Sequence, residues 1–322
     1  MVKALITGGA GFIGSHLAEY LLAIGHEVVV IDDLSTGRIE NLKPIHNHPH
    51  LTIVTDDIRN LSALEPLVRE CDVIYHLAAV LGVQKILKEP IHTIEVNIGG
   101  TEVVLKMAHR YTKKVLVAST SEVYGKGTKF PFSEDDDTLV GATSKMRWAY
   151  AATKAVDEFL ALAYHHETDL PVVVFRPFNT VGARQTGQYG MVLPRFVKWA
   201  LAGEPLQVYG DGAQTRCFGN VRDVVDALYK LSEEPSAIGR VFNVGSTEEI
   251  SIGGLAKRVI ARAKSNSTIQ YIPYDQAYEK GFEDFVRRVP DITRIMQTIE
   301  WKPTTPLDDT IDQIIEYMQK ER

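Results

Sequence analysis

Short runs of β-branched and aliphatic residues alternate with longer stretches of helical period along the first 176 positions. KALIT is followed by a helical pattern over 12–25, EVVVID by a loop, and LTIVT by a pattern over 61–71. DVIYHLA precedes 90–111, KVLVAS precedes 147–167, and PVVVFR closes the series. Runs such as EVVVID are apolar throughout rather than alternating. Both faces of those strands are therefore expected to be covered, and a helix between successive strands makes the sheet parallel. After Arg176 the rhythm changes. Residues 179–191 are rich in Gly, Thr and Gln, the strands LQVYG and RVFNVG stand singly, and a helix returns over 221–233. The pattern predicts an α/β, doubly wound parallel sheet from 1–177 plus about 219–235, with a smaller α/β lobe from 178–218 and 236–322. No repeat of fixed period interrupts it.

Composition narrows the function classes without altering this picture. The 322 residues are 45% hydrophobic and 24% charged, with 35 Lys+Arg against 41 Asp+Glu. These are globular values, and the net charge of -6 leaves no basic footprint for nucleic acid. Two cysteines, Cys71 and Cys217, make no disulfide framework and fit a reducing compartment. No apolar run approaches the ~18 residues of a membrane span. The opening MVKALITGG enters a strand at once, without the pattern of a signal peptide. A soluble, cytoplasmic protein is expected.

The segment TGGAGFIG places Gly8, Gly11 and Gly14, with Phe12 and Ile13 between the last two, directly after the first strand and at the start of the first helix. Glycines here allow a tight turn and close approach of backbone to a pyrophosphate, which the helix N-terminus attracts. The second strand ends in Asp32, near the ~20-residue offset at which a carboxylate accepts from ribose hydroxyls. An acid there repels a 2′-phosphate, so NAD is favoured over NADP. Strand, spacing and acid together make the sheet Rossmann-type.

Tyr150 and Lys154, in WAYAATK, stand at i and i+4 on one helical face. A free phenol ionises near pH ~10 and is a poor base, and a neighbouring ammonium favours the phenolate. Upstream, STSEVYG puts Thr120, Ser121 and Glu122 just after the fifth strand, at the sheet edge where α/β ligands bind.

These motifs resemble the extended short-chain dehydrogenase/reductases, and nucleotide-sugar 4-epimerases with their decarboxylase and dehydratase relatives in particular. The likeness runs over essentially the whole chain: TGGAGFIG, Asp32-Asp33, Asp57-Ile58, HLAA, Asn97, STSEVYG, YAATK and RRVPD. It implies a catalytic set of Thr120, Tyr150 and Lys154, with Glu122 a further candidate. Asp33, Asp57 and Ile58 would join Asp32 around the adenosine of NAD. Leu77, Ala78 and Ala79 would line the cofactor, Asn97 would sit behind the chemistry, and Pro177 and Phe178 would meet the nicotinamide end. The resemblance also implies a homodimer formed through the helices near 97–111 and Tyr150, with Val104, Leu105, Met107, Phe159, Leu160 and Leu162 as candidate contacts.

For a UDP-sugar substrate the resemblance assigns Arg216 and Arg288 to the diphosphate, Asp291 to a ribose hydroxyl, and Asn179, Thr120 and Ser121 to the sugar side. Gln207, Tyr209 and the backbone near Val192 would form the uracil slot. Arg184 would meet the carboxylate of a uronic acid, which a guanidinium holds bidentately. That grip matters because oxidising C4 of a uronic acid creates a β-keto acid, prone to lose carbon dioxide. RQTGQYGMVLPRF resembles UDP-glucose or UDP-glucuronate 4-epimerases, whereas STSE resembles UDP-glucuronate decarboxylases. YAATKA and HLAAVLG lack the YDEGKR and HLASP typical of the latter, and Ser121 replaces the acid of a 4,6-dehydratase. A 4-epimerase working through a transient 4-keto sugar is the preferred expectation. A decarboxylase or dehydratase is the alternative, and a non-catalytic NAD-binding regulator a remote one. HNHPH and EDDD lack the spacing of a metal site, so no metal is expected.

Overall fold

The computed structural model describes residues 1–187, 191–273, 276 and 287–321, with only the backbone for 83–85. The first elements are β1 (Lys3–Thr7), α1 (Phe12–Ala23), β2 (Glu27–Asp32), β3 (Leu51–Thr55), α2 (Leu61–Glu70), β4 (Val73–His76), α3 (Val83–Lys88) and α4 (Pro90–Arg110). There follow β5 (Lys114–Ala118), α5 (Ala149–Thr168), β6 (Val172–Pro177), β7 (Thr180–Val181), α6 (Val192–Ala202), β8 (Leu206–Tyr209), β9 (Thr215–Cys217), β10 (Gly219–Asn220) and α7 (Val221–Glu233). The last are β11 (Arg240–Val244), β12 (Glu249–Ser251), α8 (Ile252–Arg262), β13 (Ile269–Ile272), β14 (Arg287–Arg288), α9 (Thr293–Ile299) and α10 (Leu307–Lys320).

Seven strands form one parallel sheet in the order β11-β6-β5-β4-β1-β2-β3. The order reverses between β1 and β4, which opens a crevice above the carboxyl ends of the strands. The apolar strands divide their side chains between two covered faces, as their lack of alternation predicts. Ile6, Val30, Tyr75, Leu116 and Phe175 pack with α1 and α7. Leu5, Val29, Ile31, Ile74, Val117 and Val174 pack with α2, α4 and α5. β3, at the edge, is only partly covered. A separate core of Phe196, Val197, Leu206, Leu255, Val259, Ile311 and Ile314 joins α6, β8, α8 and α10 in the second lobe.

The lobe boundary expected at 236 is corrected by the seventh strand. Arg240–Val244 pairs in parallel with β6, Phe242↔Phe175 among the partners. Ile292, Ile295 and Trp301 then bury against the same main core. RVFNVG reads as an isolated strand because its partner lies some 67 residues back, beyond any local pattern. The helix face expected to dimerise also needs sorting: Val104 and Leu105 are buried beneath the sheet, while Phe159 is 71% and Ile91 72% exposed. Among the described residues, no helix is long and apolar enough to cross a membrane.

Candidate active site

A cleft of about 510 Å³ follows the crevice from the end of β1 to the second lobe. Its first wall is the glycine turn. Gly8 has φ +70, and a Cβ there would lie 2.8 Å from the Ala78 backbone. At Gly14 a Cβ would meet the Gly8 carbonyl oxygen at 2.4 Å. α1 opens at Gly11 with no side-chain cap, so its first-turn N–H groups remain available to an anion. Phe12 and Ile13 line this end of the cleft. That cradle has the shape and polarity a dinucleotide pyrophosphate needs.

Asp32 ends β2 in the cleft wall, where Oδ2 accepts from Ala10 N at 2.9 Å and Oδ1 from Leu34 N at 2.8 Å. Burial raises its pKa against these bonds. Asp33 also faces the cleft and accepts from Ser35 N. Asp57 is gripped by Arg59 at 2.6 Å, which holds its carboxyl below the ordinary range. Ile58, Leu77, Ala78 and Ala79 line the same wall. Asn97 lies behind it, buried: its side chain accepts from Val80 N at 2.7 Å, donates to Val80 O, and does not reach the cleft. Pro177 lines the cleft, but Phe178 does not. The Phe178 ring instead packs with Tyr124 and Phe132, a correction to its expected place beside the cofactor.

Thr120, Ser121, Glu122, Tyr150 and Lys154 converge where β5 and α5 meet the cleft floor. The half-buried Tyr150 phenol hydrogen-bonds Thr120. Its pKa is raised by burial and then by Glu122 and Asp157, against the lowering effect of that bond. The Lys154 ammonium, expected against the phenol, donates to Asp157 Oδ2 at 2.7 Å. Beneath the site Glu158 accepts from Ser119 and, bidentately, from Arg176 at 2.9 and 2.7 Å. This fixes the end of β5 to α5.

Glu122 sits between two arginines. Arg147 Nη1 donates to Glu122 Oε2 at 2.9 Å, and Arg288 Nη2 lies 3.8 Å from Oε1. Burial alone would raise the Glu122 pKa, but Arg147 and then Arg288 outweigh it and hold the carboxylate ionised below its usual range. Sequence reasoning missed Arg147. The only local signal is a cation three residues before Tyr150, and its burial against the Trp148 ring, 4.6 Å away, is tertiary.

Parallel pairing of β14 with β9 sets Arg288 directly beside Arg216, which brings together the two arginines assigned to a diphosphate. Both are buried and line the cleft. Gln207, Tyr209, Val192 and Asn179 line it as well. Arg195, also missed, donates to the Tyr209 hydroxyl at 2.8 Å and stacks over Trp199. Two expectations fare differently. Asp291 does not line the cleft, and its carboxylate accepts from Thr293 N at 2.8 Å at the start of α9. Arg184 lines the cleft but is ion-paired with Glu19 of α1, leaving Nη1 buried without a partner. The Glu19 carboxylate holds the guanidinium there, and the Arg184 backbone stands at φ +67.

Residues 5–314 match the family described as GDP-mannose 4,6 dehydratase. A UDP-N-acetyl-alpha-D-glucosaminuronate decarboxylase of Bacillus cytotoxicus is 42% identical over 99% of this chain and 98% of its own length. UDP-glucuronic acid decarboxylase 1 of Danio rerio is 38% identical over 99% of this chain and 73% of its own. Among solved structures, a mutant of Bacillus cereus UDP-glucuronic acid 4-epimerase, in complex with NAD and a fluorinated UDP-glucuronic acid, superposes with a TM-score of 0.88 at 28% identity. That match covers 99% of this chain and 100% of that one. A Rossmann sheet, a glycine cradle and a Thr-Tyr-Lys floor thus occur in a chain that belongs to the GDP-mannose 4,6-dehydratase family of extended short-chain dehydrogenase/reductases, nucleotide-sugar enzymes whose cofactor is NAD.

Proposed function

We propose that this protein is an NAD-dependent decarboxylase of a UDP-linked hexuronic acid, the alternative rather than the preferred expectation of the sequence. The observation that carries it is Glu122, held ionised between Arg147 and Arg288 beside the Thr120–Tyr150 pair. The names of the similar curated relatives support it. The Arg184–Glu19 ion pair supports it too, because the arginine expected to hold a uronate carboxylate still is engaged elsewhere.

NAD, which the Gly8–Gly14 turn, Asp32 and Lys154 would hold, would supply the reversible two-electron chemistry at C4 of the sugar. Tyr150, reacting as the phenolate hydrogen-bonded by Thr120, takes the proton of the 4-hydroxyl and returns it when C4 is reduced. Arg216 and Arg288 hold the diphosphate, and Gln207 and Tyr209 flank the base. In the resulting β-keto acid the C5–carboxylate bond breaks, its electron pair moves toward the C4 oxygen, and carbon dioxide leaves. Thr120 and Tyr150 stabilise the enolate oxygen. Glu122, its charge matched by Arg147 and Arg288, stands beside the reacting pair, and Arg184, paired with Glu19, leaves the substrate carboxylate unclamped. A solvent proton is taken up at C5, so the net change is uronate plus a proton to pentose unit plus carbon dioxide.

The test incubates the protein and NAD with UDP-glucuronate and with UDP-N-acetylglucosaminuronate, following carbon dioxide and the sugar NMR spectrum. Stoichiometric carbon dioxide with a decarboxylated UDP-sugar is expected. Inversion at C4 without gas release makes the protein an epimerase. The exposed Phe159 and Ile91 support pairing of two copies through α4 and α5; sedimentation as a monomer at micromolar concentration would remove that assembly.

A further inference from the structure

Lys154 and Asp157 lie one turn apart on α5, joined at 2.7 Å, with side chains only 2% and 0% exposed. A carboxylate buried so completely is costly unless its charge is matched. The ammonium satisfies Oδ2, whereas Oδ1 has no hydrogen-bond partner. The groups facing the pair come from four elements. Burial is the largest influence on Asp157 and leaves its pKa raised; against it, Lys154 and then, from α4, the Thr101 hydroxyl favour the ionised form. From β4, His76 meets Thr101 Oγ1 through Nε2 at 3.0 Å and Thr7 Oγ1 through Nδ1 at 2.8 Å. On α5 itself, Glu158 is committed to Arg176 and Ser119. Across the floor, Glu122 is committed to Arg147 and Arg288.

These bonds have one consistent direction. His76 is neutral, its pKa lowered to about 3 by burial and then by Lys154. Ala78 N donates to Thr7 Oγ1 at 3.2 Å, so the Thr7 hydroxyl is free to donate to Nδ1. Nε2 then carries the ring proton and donates to Thr101, whose own proton is left to face Asp157. A polar chain therefore runs from Thr101 through His76 and Thr7 to the backbone of the cofactor wall, with the Lys154–Asp157 pair facing its Thr101 end.

We propose that Asp157 is a positioning residue of the active site: it fixes the Lys154 ammonium in the cleft floor and offsets part of its charge, so that the lysine acts on Tyr150 and on the cofactor as a shielded cation. The inference rests on Tyr150 and Lys154 being the reactive pair and not on which sugar is processed. Two consequences follow from the geometry. The Asp157 charge opposes ionisation of the Tyr150 phenol, in the same direction as Glu122. A negative charge this close to Lys154, which lines the cleft, also favours the cationic oxidised nicotinamide over the neutral reduced one.

The test compares Asp157→Asn and Asp157→Glu with the parent holoenzyme. It reads the pH profile of kcat, the thermal midpoint, and the separate dissociation constants for NAD⁺ and NADH from protein and nicotinamide fluorescence. Asp157→Asn is expected to move the acid limb of kcat to lower pH by roughly half a unit to one unit. It should also lower the NAD⁺:NADH affinity ratio about 3- to 10-fold. Asp157→Glu keeps the charge on a longer arm, so it should preserve the affinity ratio while slowing turnover, and it remains readable if the Asn variant fails to fold. A folded Asn variant with unchanged limb and ratio, or a Glu variant whose ratio shifts as the Asn variant is expected to, overturns the proposal. The affinity arm needs no sugar, so its outcome is separable from that of the decarboxylation assay.

Discussion

The two halves of the cleft are built by different physics. On the cofactor side the wall is backbone: the Gly8–Gly14 turn, the uncapped start of α1 and the Leu77–Ala79 loop, each supplied by a strand end in the central sheet. On the other side, proposed to take the sugar nucleotide, the wall is charge. Arg147 follows a long loop after β5, Arg216 sits on β9 and Arg288 on β14, and Glu122 or strand pairing holds each in place. A backbone wall is specified within about ten residues and recognises what most nucleotides share. A wall of paired side chains from distant segments recognises one arrangement of charge, and exchanging one partner retunes it. The proposed chemistry falls at the seam, where Thr120 and Tyr150 meet.

Breaking the seam should have the largest effect. Tyr150→Phe removes the proposed proton acceptor and leaves both walls standing. Turnover is expected to fall on the order of 10³- to 10⁴-fold, with NAD and UDP-sugar dissociation constants little changed by calorimetry. Turnover within about tenfold of the parent would take Tyr150 out of the reaction.

Gly14→Ala attacks the backbone wall alone. The new Cβ would lie 2.4 Å from the Gly8 carbonyl oxygen and 2.7 Å from Gly9 Cα, atoms that cannot rotate away. Reopening the turn is expected to weaken NAD about 100-fold, some ~2.7 kcal/mol, while binding of UDP to the sugar side is retained. Equal losses on both sides would mean that the two walls are not independent.

This division also explains what is legible in the sequence. The glycine turn, Asp32, and the Tyr150–Lys154 spacing are short-range patterns, and each stands in the cleft wall as expected. Six strands of the main sheet follow from the short apolar runs of the first 177 residues, whereas the seventh, Arg240–Val244, reads as an isolated strand because its partner is distant in the chain. The failures are side chains whose surroundings are made by distant chain. The expectation for Phe178 leans on its neighbour Pro177, yet consecutive residues leaving a strand point to opposite sides, and the ring turns into a cluster with Tyr124. Asp291 has the look of a ligand-facing acid in the sequence, but its carboxylate is taken by the Thr293 N–H two residues on. Arg147 has no periodicity to betray it, since its role exists only once the 3-10 turn over Ser121–Tyr124 delivers Glu122 beside it. The ion pair of Lys154 with Asp157 is local, at i and i+3, but nothing in the spacing says that both will be buried.

The sharpest probe of the charged wall is also the mildest. Glu122→Gln keeps the shape and the hydrogen-bonding oxygen offered to Arg147 and removes only the charge. Carbon dioxide release is expected to slow about tenfold, with NAD affinity unchanged because the backbone wall is untouched. The pH dependence gives a second, signed check. The Glu122 pKa is depressed in the folded state, with Arg147 and Arg288 overcoming the opposing effect of burial. Its stabilising contribution is therefore present above the unfolded value near 4.5 and is lost as pH falls through the lower folded value. The parent should be more stable than Glu122→Gln at neutral pH, and the gap should close as the pH is taken below about 4.5. A gap that is constant across that range would mean that the arginines hold Glu122 by shape rather than by charge, and the contrast between a backbone wall and an electrostatic one would lose its foundation.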